Sequence, residues 1–103
     1  MTTTDDLLAG FCQSVRCPQM SGFEVLELLD IRSALARQEG ELSERQQKTL
    51  EEADETFLRH APQFHEQVAQ VADLQEMRKR AAVPPSHWWW YLEKLRLAER
   101  VAL

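Results

Sequence analysis

The sequence predicts an all-α fold: a small helical bundle of four to five helices with a long central hairpin helix that Pro62 kinks or breaks. Three observations predict it. Leu, Ala, Glu, Gln and Arg dominate the composition, and Gly and Pro together contribute only seven of 103 residues, three and four respectively. Apolar residues recur at three- and four-residue spacing, the period of one helix face. Apolar residues at 44% and charged residues at 28% are ordinary for a globular chain and exclude a disordered or low-complexity one. A chain of this length supports one core, so residues 1–103 are read as a single helical domain.

The first helix is expected to open at Thr4, whose hydroxyl can cap the following amides while Asp5 and Asp6 suit the positive end of the dipole. Leu7, Leu8, Phe11, Cys12 and Val15 form its apolar stripe. Cys17-Pro18 stops it, because the residue before a proline is pushed out of helical geometry. Ser21 and Glu24 have capping-box spacing and start a second helix. There Phe23, Val25, Leu26, Leu28, Leu29, Ile31 and Leu35 cover most of the circumference, as expected of a central helix buried by several neighbours. Gly40 stands where a left-handed cap would end it.

Ser43 and Gln46 repeat the capping-box spacing ahead of the longest predicted element. Leu50, Phe57, Phe64 and Val71 fall seven apart, with Ala53, Ala61 and Val68 between them, giving a continuous apolar seam. Pro62 imposes either a kink or a break near Ala61. The seam keeps its spacing across the proline, which favours the kink. Arg78-Lys79-Arg80 suits a helix C-terminus. Val83-Pro84-Pro85 reads as a stiff linker, and Ser86 as the cap of a last helix starting at His87.

That last segment concentrates all three tryptophans and the only tyrosine in Trp88-Trp89-Trp90-Tyr91. Successive helical residues are rotated by about 100°, so three adjacent indoles cannot share a face. Trp88 falls with Tyr91, Leu92, Leu95, Ala98 and Ala102 on a face that suits the core. Trp90, Leu97 and Val101 fall together on nearly the opposite side and need separate cover. Trp89 falls with Glu93, Arg96 and Arg100 on a charged face and is expected to meet solvent, or to stack on a guanidinium. A terminal helix with two apolar faces in so small a domain favours docking against another chain.

Charge and motif content narrow the function further. The net charge is −5, but residues 1–42 carry seven acids against three bases, whereas residues 78–103 carry six bases against two acids. Bulk acidity opposes nonspecific nucleic-acid binding, while the basic end leaves a local footprint conceivable. No stretch approaches the roughly 20 apolar residues of a membrane span. No basic residue precedes Leu7-Leu8, unlike a secretory leader, so the expected location is the cytoplasm, with Cys12 and Cys17 as reduced thiols.

His60 and His65 are five apart, about 140° around a helix, a poor pair of metal ligands. The acids Glu51, Glu52, Asp54 and Glu55 lack the alternation of a calcium loop and read as a solvated face. There is no phosphate-cradling glycine loop, no nucleophile elbow, and no serine with an evident base and orienting acid.

The expectation is therefore a non-enzymatic protein-interaction module with no cofactor and no metal. It would self-associate as a homo-oligomer, or bind another protein as an adaptor or accessory subunit, through Trp89, Trp90, Arg96, Leu97, Arg100 and Val101. The alternative is nucleic-acid binding, in which Arg78, Lys79, Arg80, Arg96 and Arg100 hold phosphates while Trp89 stacks on an unpaired base.

Overall fold

The computed structural model describes residues 3–95, and within them the chain is all-α. Helix α1 spans Thr4–Val15 and is capped one residue earlier than expected. Thr3 accepts from the Asp6 amide at 3.1 Å, and the Asp6 carboxylate accepts from the Thr3 amide at 3.3 Å, a complete capping box. Thr4 is thereby released, and its hydroxyl meets the Gln38 side chain at the far end of α2. Leu8, Phe11 and Val15 are buried, as the stripe requires.

Helix α2 spans Gly22–Arg37 and takes the central place foreseen for it, packed on α1, on α4 and on the tryptophan segment. Ser21 accepts from the Glu24 amide at 3.2 Å, the half of the capping box that forms. Val25, Leu28, Leu29 and Leu35 are buried, but Phe23 at the N-terminal end is 69% exposed. The all-round burial expected of α2 therefore fails at its first turn. Gly40 is also corrected: it lies in a short 3₁₀ turn, Glu39–Glu41, and has no positive φ.

The long hairpin helix is broken rather than kinked. Helix α3 spans Glu44–Arg59 behind the foreseen Ser43–Gln46 capping box, and helix α4 spans Ala61–Ala69. His60 caps both. Pro62 sits in the first turn of α4, where a missing amide costs nothing because no carbonyl in the helix awaits it. The apolar seam nevertheless survives the break, since Leu50, Ala53, Phe57, Ala61, Phe64 and Val68 are all buried. Phe57 is its hub, 6.3 Å from Phe11, 5.3 Å from Phe64 and 5.7 Å from Trp88 between ring centroids. Val71 lies beyond the end of α4 and is 38% exposed, so the seam stops at Val68.

A second interruption was not foreseen. Asp73 caps a separate helix α5, Leu74–Ala81, by accepting from the Gln75 and Glu76 amides. The basic triplet Arg78, Lys79 and Arg80 falls in its last turn, where cations oppose the helix dipole as expected. The left-handed cap assigned to Gly40 occurs instead at Ala82, φ 49° and ψ 47°. The Ala82 amide donates to Lys79 and the Val83 amide to Arg78, the paired bonds of a Schellman closure, and Val83 packs on the core.

The chain turns back over α2 and α3 through a 3₁₀ turn, Trp88–Trp90, and helical geometry resumes at 92–95. His87, not Ser86, precedes this turn, and no side chain caps it. Among the described residues no helix is long and apolar enough to cross a membrane.

Close approach of α2 and α4 depends on Gly22. A Cβ there would lie 2.4 Å from the Gln67 carbonyl oxygen and 2.5 Å from Val71 Cγ2, and a backbone carbonyl cannot step aside cheaply. Gly22→Ala is expected to lower unfolding free energy by about 1–3 kcal/mol in a denaturant titration. Gly10→Ala, where a Cβ meets nothing within 4 Å, is expected to raise it by up to about 1 kcal/mol through helix propensity.

Candidate functional site

Two adjacent polar residues on the buried side of α2 organise the most distinctive cluster in the molecule. Arg32 and Ser33 are both 4% exposed. Removing a guanidinium from water is expensive unless a counter-charge and hydrogen bonds replace the solvent. Asp54 of α3 supplies them: its carboxylate accepts from Arg32 Nε at 2.9 Å and from Nη2 at 3.0 Å, a bidentate pair. Burial pushes the Asp54 carboxyl above its ordinary range, against the pull of the Arg32 hydrogen bonds and charge. Arg32 Nη1 is buried with no hydrogen-bond partner. What surrounds the guanidinium is aromatic, with the Trp89 ring centroid at 4.2 Å, Trp88 at 5.9 Å and Phe11 at 6.0 Å, whose π faces partly replace the lost hydration.

Ser33 is the second anchor. Its Oγ accepts from Trp89 Nε1 at 3.0 Å and from Trp90 Nε1 at 2.9 Å, and lies 3.2 Å from His87 Nδ1. A hydroxyl oxygen offers two lone pairs and one proton. Both lone pairs are taken by indoles, so the Ser33 proton goes to His87 Nδ1, and the neutral His87 ring carries its own proton on Nε2. The imidazole stacks on Trp89 with ring centroids 4.7 Å apart. Burial, then the charges of Arg37 and Arg32, hold His87 below the ordinary histidine range.

The tryptophan segment is fastened from its other side by Arg78 of α5. Nη1 of Arg78 donates to the Trp90 carbonyl at 2.8 Å and to Glu93 Oε2 at 3.1 Å, and Nη2 donates to Glu93 Oε1 at 2.5 Å. The Tyr91 ring lies 4.3 Å from the same guanidinium. Burial raises the Glu93 carboxyl, but the Arg78 hydrogen bonds outweigh it and hold the group below its usual range.

This geometry corrects the expected surface. Trp89, expected to meet solvent, is 2% exposed, and Trp90, expected to need cover from another chain, is 5% exposed. A 3₁₀ turn advances by about 120° per residue rather than about 100°, and it lets both indole N–H groups converge on one hydroxyl. The guanidinium that stacks on Trp89 is that of Arg32 of α2. The core-facing set is borne out in part: Leu92 is buried, and Trp88, Tyr91 and Leu95 are partly buried against the core. Arg96, Leu97, Arg100 and Val101 lie outside the described residues. Trp89 is unavailable to stack on a base while it is buried, and Arg78 is engaged by Glu93.

Neither Ser33 nor Arg32 belongs to a motif or spacing pattern that marks a site. The signal was present: an arginine and a serine at adjacent positions between apolar residues of a helix expected to be buried by several neighbours.

Ser33 beside His87 superficially offers a nucleophile and its base, but the oxygen has no free lone pair and the ring faces two arginines instead of an orienting acid. An open cleft of about 350 Å³ is lined by His65, Asp73 and Glu93 among others. Asp73 in it caps α5 and Glu93 is held by Arg78. His60 Nδ1 lies 2.8 Å from the Val15 carbonyl and ties the end of α1 to the α3–α4 junction. Among the described residues no group of three or more His, Cys, Asp and Glu side chains is placed to hold a metal ion.

Ser33→Ala would strand two buried indole donors, each worth about 1–3 kcal/mol. An expected loss of about 2–5 kcal/mol, read by denaturant unfolding, checks the assignment; a change below about 0.5 kcal/mol contradicts it. No protein-family model, curated protein or solved structure matches this chain.

Proposed function

We propose that the chain is a non-enzymatic protein-interaction module of the cytoplasm that self-associates, and that its docking face lies at the N-terminal end of α2. The observation that carries this reading is the exposure of two apolar side chains, Phe23 at 69% and Val71 at 38%. Val71 lies against Gly22, the residue that precedes Phe23. A phenylalanine ring left in water forgoes about 2–3 kcal/mol of burial free energy, and aromatic anchors of this kind dominate protein interfaces.

Charge supports a second copy as the partner. Glu24 and Glu27 flank Phe23 and are exposed, while Lys79 and Arg80 are exposed at the end of α5. One molecule thus carries an acidic rim around its apolar anchor and a cationic corner elsewhere, a distribution suited to association between copies. Polar groups of the types that serve chemistry are committed to structure: Ser33 to two indoles, Glu93 to Arg78, Asp73 to the α5 cap.

Sedimentation velocity from low to high micromolar concentration tests the reading. A reversible oligomer is expected, weakened by added salt and weakened at least tenfold, about 1.4 kcal/mol, by Phe23→Ala. Phe23→Glu is expected to abolish it with little change in fold stability, because the side chain is exposed. A chain that stays monomeric throughout, or an oligomer indifferent to Phe23→Glu, overturns the proposal.

A further inference from the structure

The Ser33 junction has a property that no ordinary helix contact has: it is saturated with donors. Two indole N–H groups occupy both lone pairs of Ser33 Oγ, and the hydroxyl proton is spent on His87 Nδ1. The neutral ring already carries hydrogen on Nε2, so an added proton can enter only at Nδ1. That would aim a fourth hydrogen at an oxygen that can take none. His87⁺ can therefore keep its place only if Ser33 turns its own proton away and gives up one indole, or if the segment moves.

The charges facing the ring make no provision for the cation. Arg32 and Arg37 of α2 are both positive, and the counter-ion of Arg32, Asp54 of α3, is committed to it in a bidentate pair. His60 differs: its Nδ1 faces the Val15 carbonyl, which accepts a proton donor.

We propose that residues 87–90 form a proton-released clasp, in which protonation of His87 at Nδ1 breaks the Ser33 junction and loosens Trp89 and Trp90 from α2. The device goes beyond the docking reading and does not depend on it, since it operates within one chain. The depressed His87 pKa sets the sign. Unfolded chains begin to take up the proton near the ordinary value of 6.5, before folded ones do. The clasp is thus intact above that pH, and its contribution declines as pH falls below it. Glu93, held below the ordinary glutamate range by its Arg78 hydrogen bonds, titrates beneath this window and keeps the Arg78 clamp closed while His87 responds.

Near-UV circular dichroism and tryptophan emission, followed from pH 7.5 to pH 5 on a Phe23→Glu background to remove any association, test it. The expected result is a loss of the near-UV tryptophan signal with a midpoint below 6.5, while far-UV helicity holds. His87→Asn, whose Oδ1 can accept the Ser33 proton without titrating, is expected to abolish the transition and to identify His87 rather than His60 or His65 as its source. Nitrogen-15 shifts of the wild-type imidazole supply a readout that needs no variant in the clasp, with His87 expected as the Nε2–H tautomer at pH 7.5. A flat near-UV signal across the range, an unchanged transition in His87→Asn, or an Nδ1–H tautomer overturns the proposal.

Discussion

Burying an arginine and a serine side by side on the central helix is the constraint to which the rest of the structure answers. An isolated guanidinium in an apolar core is untenable, so α3 must present Asp54 to it, and this sets the rotation of α3 about its own axis. The same rotation points Phe57 inward, where it meets Phe11, Phe64 and Trp88. An ion pair of this kind adds little net stability over a well-packed apolar pair. Its effect is discrimination: packings that separate Arg32 from Asp54 leave a buried charge without its counter-ion.

Ser33 performs the corresponding task for the C-terminal segment. Three consecutive indoles could collapse on an apolar surface in many arrangements of similar energy, because hydrophobic burial is not directional. Hydrogen bonds are directional, and Ser33 Oγ selects the arrangement in which two indole N–H groups converge on it. Arg78 then closes the other edge by taking the Trp90 carbonyl and Glu93. The segment is short of regular backbone hydrogen bonding, yet side chains from α2 and α5 hold it at both edges.

Periodicity made much of the fold legible. The stripe of α1, the central position of α2, the Ser43–Gln46 cap and the seam from Leu50 to Val68 all follow from residues three, four or seven apart. Where the chain departs from one regular helix, periodicity was blind. The seam runs across His60 without a change of phase, so spacing alone could not distinguish a kink from a break. The break before α5 has a local signal that apolar spacing does not register: an aspartate, Asp73, directly before Leu74-Gln75-Glu76.

The tryptophan segment was misread for a related reason: a helical wheel sorts residues by angle only if the helix is an α-helix. Its burial is decided by polar partners some 55 residues away on α2, at sequence separations of 56 and 57 for the two indole bonds. No local pattern records such a pairing. Phe23 was misplaced in the opposite sense, because an apolar residue in the first turn of a buried helix can project past the helix it packs on.

Hydrogen exchange at the three indole N–H groups, followed by NMR, tests the central claim most directly. Trp89 and Trp90 donate to a buried oxygen, whereas Trp88 is half-buried. The account predicts strong protection of the first two indoles, approaching that of the core amides, and much faster exchange at Trp88. Equal and rapid exchange at all three would mean that Ser33 does not hold the segment, and the account would be wrong.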